Sequence, residues 1–274
     1  MSEPTALDAR GTSARARPGD LARQVVVVVA AVVAVLGSAI GSGAFGGTPI
    51  AEAGGGALSA EATLVAPDGP AFSIWTLVYL GLVAYAVWQA LPGQRTDPRQ
   101  RRTGWLAAAS LVLNAVWILV AQAGYVAGSA VVIVGLLGVL VVLFGRLVAS
   151  RPAGRVEGVL VDGTFGLYAG WVSAATIANV AAALKDAGVT EGGLGAQTWG
   201  VVVVAVAAAA GTYVASVSQG SFGYGGALAW GLGWIAVGRA SGPDASATVL
   251  LAAGLASGIV VAATLFARSG RRGS

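Results

Sequence analysis

The chain has 274 residues, 56% of them hydrophobic and only 10% charged, with a mean hydropathy of +0.79. A soluble domain carries about 25% charged residues, so this composition implies a chain that crosses a membrane several times. Cysteine and histidine are absent and Met1 is the only methionine, which excludes disulfides, thiolate and zinc chemistry, His-ligated haem, and Ser-His-Asp or Cys-His catalysis.

Residues 1–20, "MSEPTALDARGTSARARPGD", are polar and read as a disordered tail. Eight apolar stretches follow, at roughly 21–42, 71–91, 104–123, 127–148, 158–184, 198–217, 224–239 and 245–267. The expected fold class is therefore all-α and polytopic. The first stretch is longer than a signal-peptide core of about 7–15 residues and is expected to stay as a helix. The seventh is short and Gly-rich.

All but two of the 16 Lys and Arg fall in the N-terminal segment up to Arg23, between spans 2 and 3, from Arg146 at the end of span 4 to Arg155, or after span 8. The exceptions are Lys185 and Arg239. By the positive-inside rule both termini are expected in the cytoplasm of a multi-pass cell-membrane protein. The net charge of +4 and the pI near 9.8 are accounted for by these short Arg-rich loops, so no nucleic-acid partner is expected. The loop between spans 1 and 2, about 43–70, then lies outside; it holds Glu52, Glu61 and Asp68 and no Lys or Arg.

Several spans carry aromatic stripes. In span 5, Tyr168, Trp171, Ala175 and Asn179 recur at i, i+3, i+7 and i+11, within an arc of about 80° on one helix face. Span 2 offers Phe72, Trp75 and Tyr79 at i, i+3 and i+7, and span 3 offers Asn114 and Trp117. Aromatic faces turned to an internal cavity suit a flat apolar ligand. Each residue also has a structural reading: Trp and Tyr anchor helices at the interface, and Asn joins helices by hydrogen bonds. Trp88 and Trp105, near span ends, fit the interfacial role.

At these residues, "FSIWTLVY", "LNAVW" and "YAGWVSAATIAN" resemble three signatures of the TspO, or tryptophan-rich sensory protein, family, in the family's order. The resemblance covers about 21–184 and implies a five-helix bundle, often dimeric, with a pocket closed by the loop between its first two helices. It implies a hydrophobic, porphyrin-like ligand and leaves a homodimer open. Matched residue by residue, it implies pocket roles for Trp75, Tyr79, Asn114, Trp117 and Trp171, with Ala175 setting the depth. The chain departs from the family in reading Pro67, Asp68, Gly69, Pro70 where a Pro-Pro-x-Trp is usual. The other departure is the segment 185–274, expected to form further membrane helices that pack on the bundle and end in a short basic tail.

Lesser signals are two GxxxG pairs, Gly37/Gly41 and Gly254/Gly258, and Trp230/Trp234 at i, i+4. Asp162, near the start of span 5, has a proton-relay reading, set against an ion pair with Arg151 or Arg155. Three functional readings follow: a sensory or regulatory binding protein, a transporter of the same ligand, and a tryptophan-dependent porphyrin-degrading enzyme. No acid–base or nucleophile set supports ordinary enzymatic hydrolysis or transfer, and neither a catalytic residue, a metal site nor a resident cofactor is expected.

Overall fold

The computed structural model describes residues 17–41, 49–50, 52–189 and 192–270. The tail expected over 1–20 lies outside the described residues as far as residue 16. Eight long helices follow in order: α1 (Pro18–Gly41), α2 (Ile74–Ala90), α3 (Pro98–Gln122), α4 (Val126–Val148), α5 (Thr164–Asp186), α6 (Ala196–Val217), α7 (Phe222–Gly238) and α8 (Ala247–Gly270). No strand occurs among the described residues. A 3-10 turn at Gly69–Ser73 leads into α2, and a π-helical stretch at Gly158–Gly163 leads into α5.

Seven of the helical segments are long and apolar enough to cross a membrane. The exception is α7, whose 17 residues rise about 25 Å. It nevertheless makes the same end-to-end passage as its neighbours. Gly220, just before it, lies against Thr264 and Arg268 at the end of α8, while the carbonyl of Arg239, just after it, accepts from Ser246 N–H at the start of α8. Gly220 has φ +75°, and a Cβ there would stand 2.5 Å from the Thr264 carbonyl, so only glycine closes this turn. The chain is an all-α multi-pass membrane protein.

Successive helices run antiparallel, so the start of α1 and the end of α8 lie at the same end of the bundle. That end collects the Arg-rich connections. Asp97 caps α3 by accepting from Arg99 N–H and Gln100 N–H at 2.8 Å each, with Pro98 in the first turn, where its missing N–H costs nothing. Arg101 pairs with Asp20 of α1 at 2.6 Å. Arg99 is buried: it bonds Glu157 at 3.0 Å, Asp162, the Ser150 hydroxyl, and the carbonyls of Leu147 and Ser150. Asp162 thus faces Arg99 of α3, where pairing with Arg151 or Arg155 was expected. The π-helical turn explains this, because its i→i+5 spacing sets Glu157 and Asp162 on one face toward α3.

Small residues let the helices approach, as membrane packing without a strong hydrophobic force requires. Gly37 and Gly41 face Ala115 and Ile118 of α3, whereas Gly254 and Gly258 have no comparably close neighbour. A close seam joins α7 to α5, which runs parallel to it, and to the turn before α5: a Cβ on Gly223 would lie 2.6 Å from the Gly163 carbonyl. Large apolar side chains such as Leu80, Val131, Leu255 and Phe266 point outward, a surface suited to lipid.

Candidate functional site

The aromatic stripes meet toward the end of the bundle opposite the Arg-rich loops, and Trp75 is their centre. Its ring stacks on Tyr79 one turn along α2, with centroids 5.4 Å apart and planes at 27°. It meets Tyr168 edge-on at 6.0 Å and Trp171 at 6.3 Å, both on α5. Trp171 in turn receives Phe72 edge-on at 5.6 Å. Phe72 lies in the 3-10 turn before α2 and is partly exposed, while Trp171 and Tyr168 are fully buried. Edge-to-face and offset-stacked pairs of this kind are the favoured aromatic geometries.

Beside this cluster is a cavity of about 40 Å³. Six of the nine residues singled out from the sequence border it: Phe72, Trp75, Trp117, Trp171, Ala175 and Asn179. Tyr79, Asn114 and Tyr168 do not border it. They lie behind Trp75, toward the Arg-rich end, where Tyr79 donates to the Asn114 carbonyl at 2.7 Å and Tyr168 donates to the Ser110 carbonyl at 3.3 Å. Asn179 is bonded too: it accepts from Trp117 Nε1 at 3.0 Å and donates to Ser129 Oγ at 3.0 Å.

Of the nine residues singled out from the sequence, two have a buried donor without a hydrogen-bond partner, Trp171 Nε1 and Asn114 Nδ2. The Cζ3–Cε3 edge of Trp171 packs toward Gly231 of α7, which turns the opposite, N–H-bearing edge away from α7. Among the described residues, no carboxylate or cation borders the cavity. Among the described residues no group of Asp or Glu is arranged to hold a metal ion.

The roof of the cavity is the segment between α1 and α2, through Ala57, Leu58, Ser59, Ala62, Ala66 and Pro67. What holds it is not visible in the spacing of the sequence. Lys185 and Arg239, the two basic residues away from the Arg-rich end, both bind carbonyls of this segment. Nor does the spacing show that Ala227 and Trp234 of α7 pack with Ala71, Ile74 and Trp171 behind the cavity. The signal available was positional: two cations on a side otherwise lacking them need a specific partner.

A family model described as TSPO-like protein matches residues 24–266. The chain belongs to the TSPO-like family. In this TSPO-like chain the matched span runs through α6, α7 and α8, past residue 184 where the motif resemblance ended. No curated protein and no solved structure matches the chain.

Proposed function

We propose that this TSPO-like protein binds a flat, largely apolar ligand of the porphyrin class between α2, α3 and α5, in a sensory or regulatory role. The observation that carries the reading is Trp171. A fully buried indole beside a cavity, with its N–H unpartnered, is an unusual state for a membrane interior. An unsatisfied buried donor costs about 1–3 kcal/mol, which an acceptor on a ligand would recover. Phe72, Trp75 and Trp171 supply ring faces and edges for a macrocycle.

The cavity of about 40 Å³ is far below the several hundred Å³ that a pocket for a ligand of this size occupies. Binding therefore requires the roof segment to move, since Asn179 and the Tyr79–Asn114 pair tie the helical walls together. The Arg-rich end is read as cytoplasmic, so the roof opens toward the outer face. Titration of purified protein with protoporphyrin, followed by absorbance and tryptophan quenching, tests the proposal. Saturable quenching that weakens in Trp171→Phe supports it; no saturable binding overturns it.

A further inference from the structure

We propose that α7 is the latch of this site: Arg239, Trp230 and the backbone of Trp234 hold the roof segment closed, and ligand exchange requires their release. The exchange part of the proposal rests on the ligand-binding reading above; the latch itself does not.

The bonds are spread along one stretch of chain. Arg239 donates from Nη2 to the Ala60 carbonyl at 3.0 Å and from Nη1 to the Thr63 carbonyl at 3.1 Å. Asp68 N–H donates to the Trp234 carbonyl at 3.2 Å, and Trp230 Nε1 donates to the Ala71 carbonyl at 2.9 Å. These anchors cover residues 60–71, and Ala62, Ala66 and Pro67 of the same stretch border the cavity. Lys185 adds a bond from α5 to the Ala62 carbonyl at 2.7 Å.

Arg239 is 3% exposed, yet its nearest carboxylate oxygen, on Asp244, stands 4.0 Å away. The two roof carbonyls are thus the main hydrogen-bond partners of this buried cation, whose Nε has none. Charge-assisted bonds of this kind are stronger than neutral ones, and every anchor uses roof backbone, so the latch does not depend on roof side chains.

The post is more rigid than what it holds. α7 is wedged along α5 through Gly223 and Gly231, and against α8, where Ser257 Oγ donates to the Ala229 carbonyl at 2.8 Å. Opening therefore moves the roof away from α7, and α7 sets its cost.

One pair gives a direct test. A Cβ on Gly238 would stand 3.4 Å from Asp68 Cβ, close to the roughly 3.5–4.5 Å of a disulfide, and the chain has no cysteine to compete. In the double variant Asp68→Cys/Gly238→Cys, protoporphyrin uptake should slow about tenfold or more on oxidation and recover on reduction. Equal uptake by the oxidised and reduced forms overturns the latch. Independently of any ligand, Arg239→Met and Trp230→Phe should speed amide hydrogen exchange within 60–71 while leaving α3 and α4 unchanged. Unchanged exchange in 60–71 in a folded Arg239→Met protein also overturns it. If wild type binds no protoporphyrin but Arg239→Met loosens 60–71, the ligand reading fails and the latch stands.

Discussion

Trp117 on α3 donates its indole N–H to the side-chain carbonyl of Asn179 on α5 at 3.0 Å, and the Asn179 amide passes the link on to Ser129 of α4. One side chain joins three helices beside the cavity. Replacing Asn179 with Leu strands a buried indole N–H and removes the bond to Ser129. The expected loss is about 1–2 kcal/mol, read as a lower unfolding temperature in detergent. Ser129→Ala removes only one of the two links and should cost less. A Leu variant as stable as wild type would mean that the triple junction carries no weight.

Trp171 should matter to ligand binding in two separable ways. Trp171→Phe keeps a ring and loses the unpartnered N–H; Trp171→Ala also loses the edge contacts to Phe72 and Trp75. Protoporphyrin binding should weaken in both, by about 1 kcal/mol or more in the Ala variant. Trp88 lies near the Arg-rich end of α2, far along the helix from Trp75, and Trp88→Ala should leave the titration unchanged. Equal losses at 88 and 171 would point to general destabilisation.

The two positions also mark how far the sequence could be read. Trp171 was found by spacing, because a helix of fixed pitch brings Tyr168, Trp171, Ala175 and Asn179 onto one face whatever surrounds it. The apolar stretches were found by length for the same reason. Partners across helices were not readable. Nothing in the spacing joins Asn179 to Ser129, or Asp162 to Arg99 rather than to a nearer Arg; those depend on helix rotation and on a π turn. The roof is less readable still, since its anchors end on backbone carbonyls, which every residue has. Only the lone positions of Lys185 and Arg239 hinted at it.

Arg99 should be the most sensitive charged position. Its side chain satisfies Glu157, Asp162, a hydroxyl and two carbonyls at a buried junction of α3, α4 and the turn before α5. Arg99→Met leaves a buried carboxylate uncompensated and is expected to cost about 3 kcal/mol or more. Adding Glu157→Gln and Asp162→Asn removes the stranded charges and should restore much of the loss. Thermal unfolding of the single and triple variants checks this; no recovery in the triple variant would mean that packing rather than charge dominates.

Eight end-to-end passages bring the start of α1 and the end of α8 to the Arg-rich end, which predicts both termini in the cytoplasm. A reporter active only in the cytoplasm, fused after Ser274, should be active, and one inserted between α5 and α6 near Gly192 should be silent. The reverse result would turn the molecule over and put the latch on the cytoplasmic face.

The character of the bound macrocycle follows from what the site lacks and from how its phenols are used. The chain has no His, no Cys and no internal Met, so among common haem ligands only Tyr remains. Near the cavity those are Tyr79 and Tyr168, and both hydroxyls are committed, to Asn114 and to the Ser110 carbonyl. Both also lie behind Trp75 and away from the cavity wall. To coordinate iron, either phenol would have to break its bond, and for Tyr79 this strands the Asn114 side-chain carbonyl, at a cost of about 1–3 kcal/mol. A macrocycle held by ring faces and by donors such as Trp171 Nε1 gains nothing from a central metal. Metal-free protoporphyrin is therefore expected to bind at least as tightly as haem in parallel titrations. Haem binding far more tightly, with the absorbance of a strongly coordinated iron, would overturn this account and make Tyr79→Phe and Tyr168→Phe the next variants to measure.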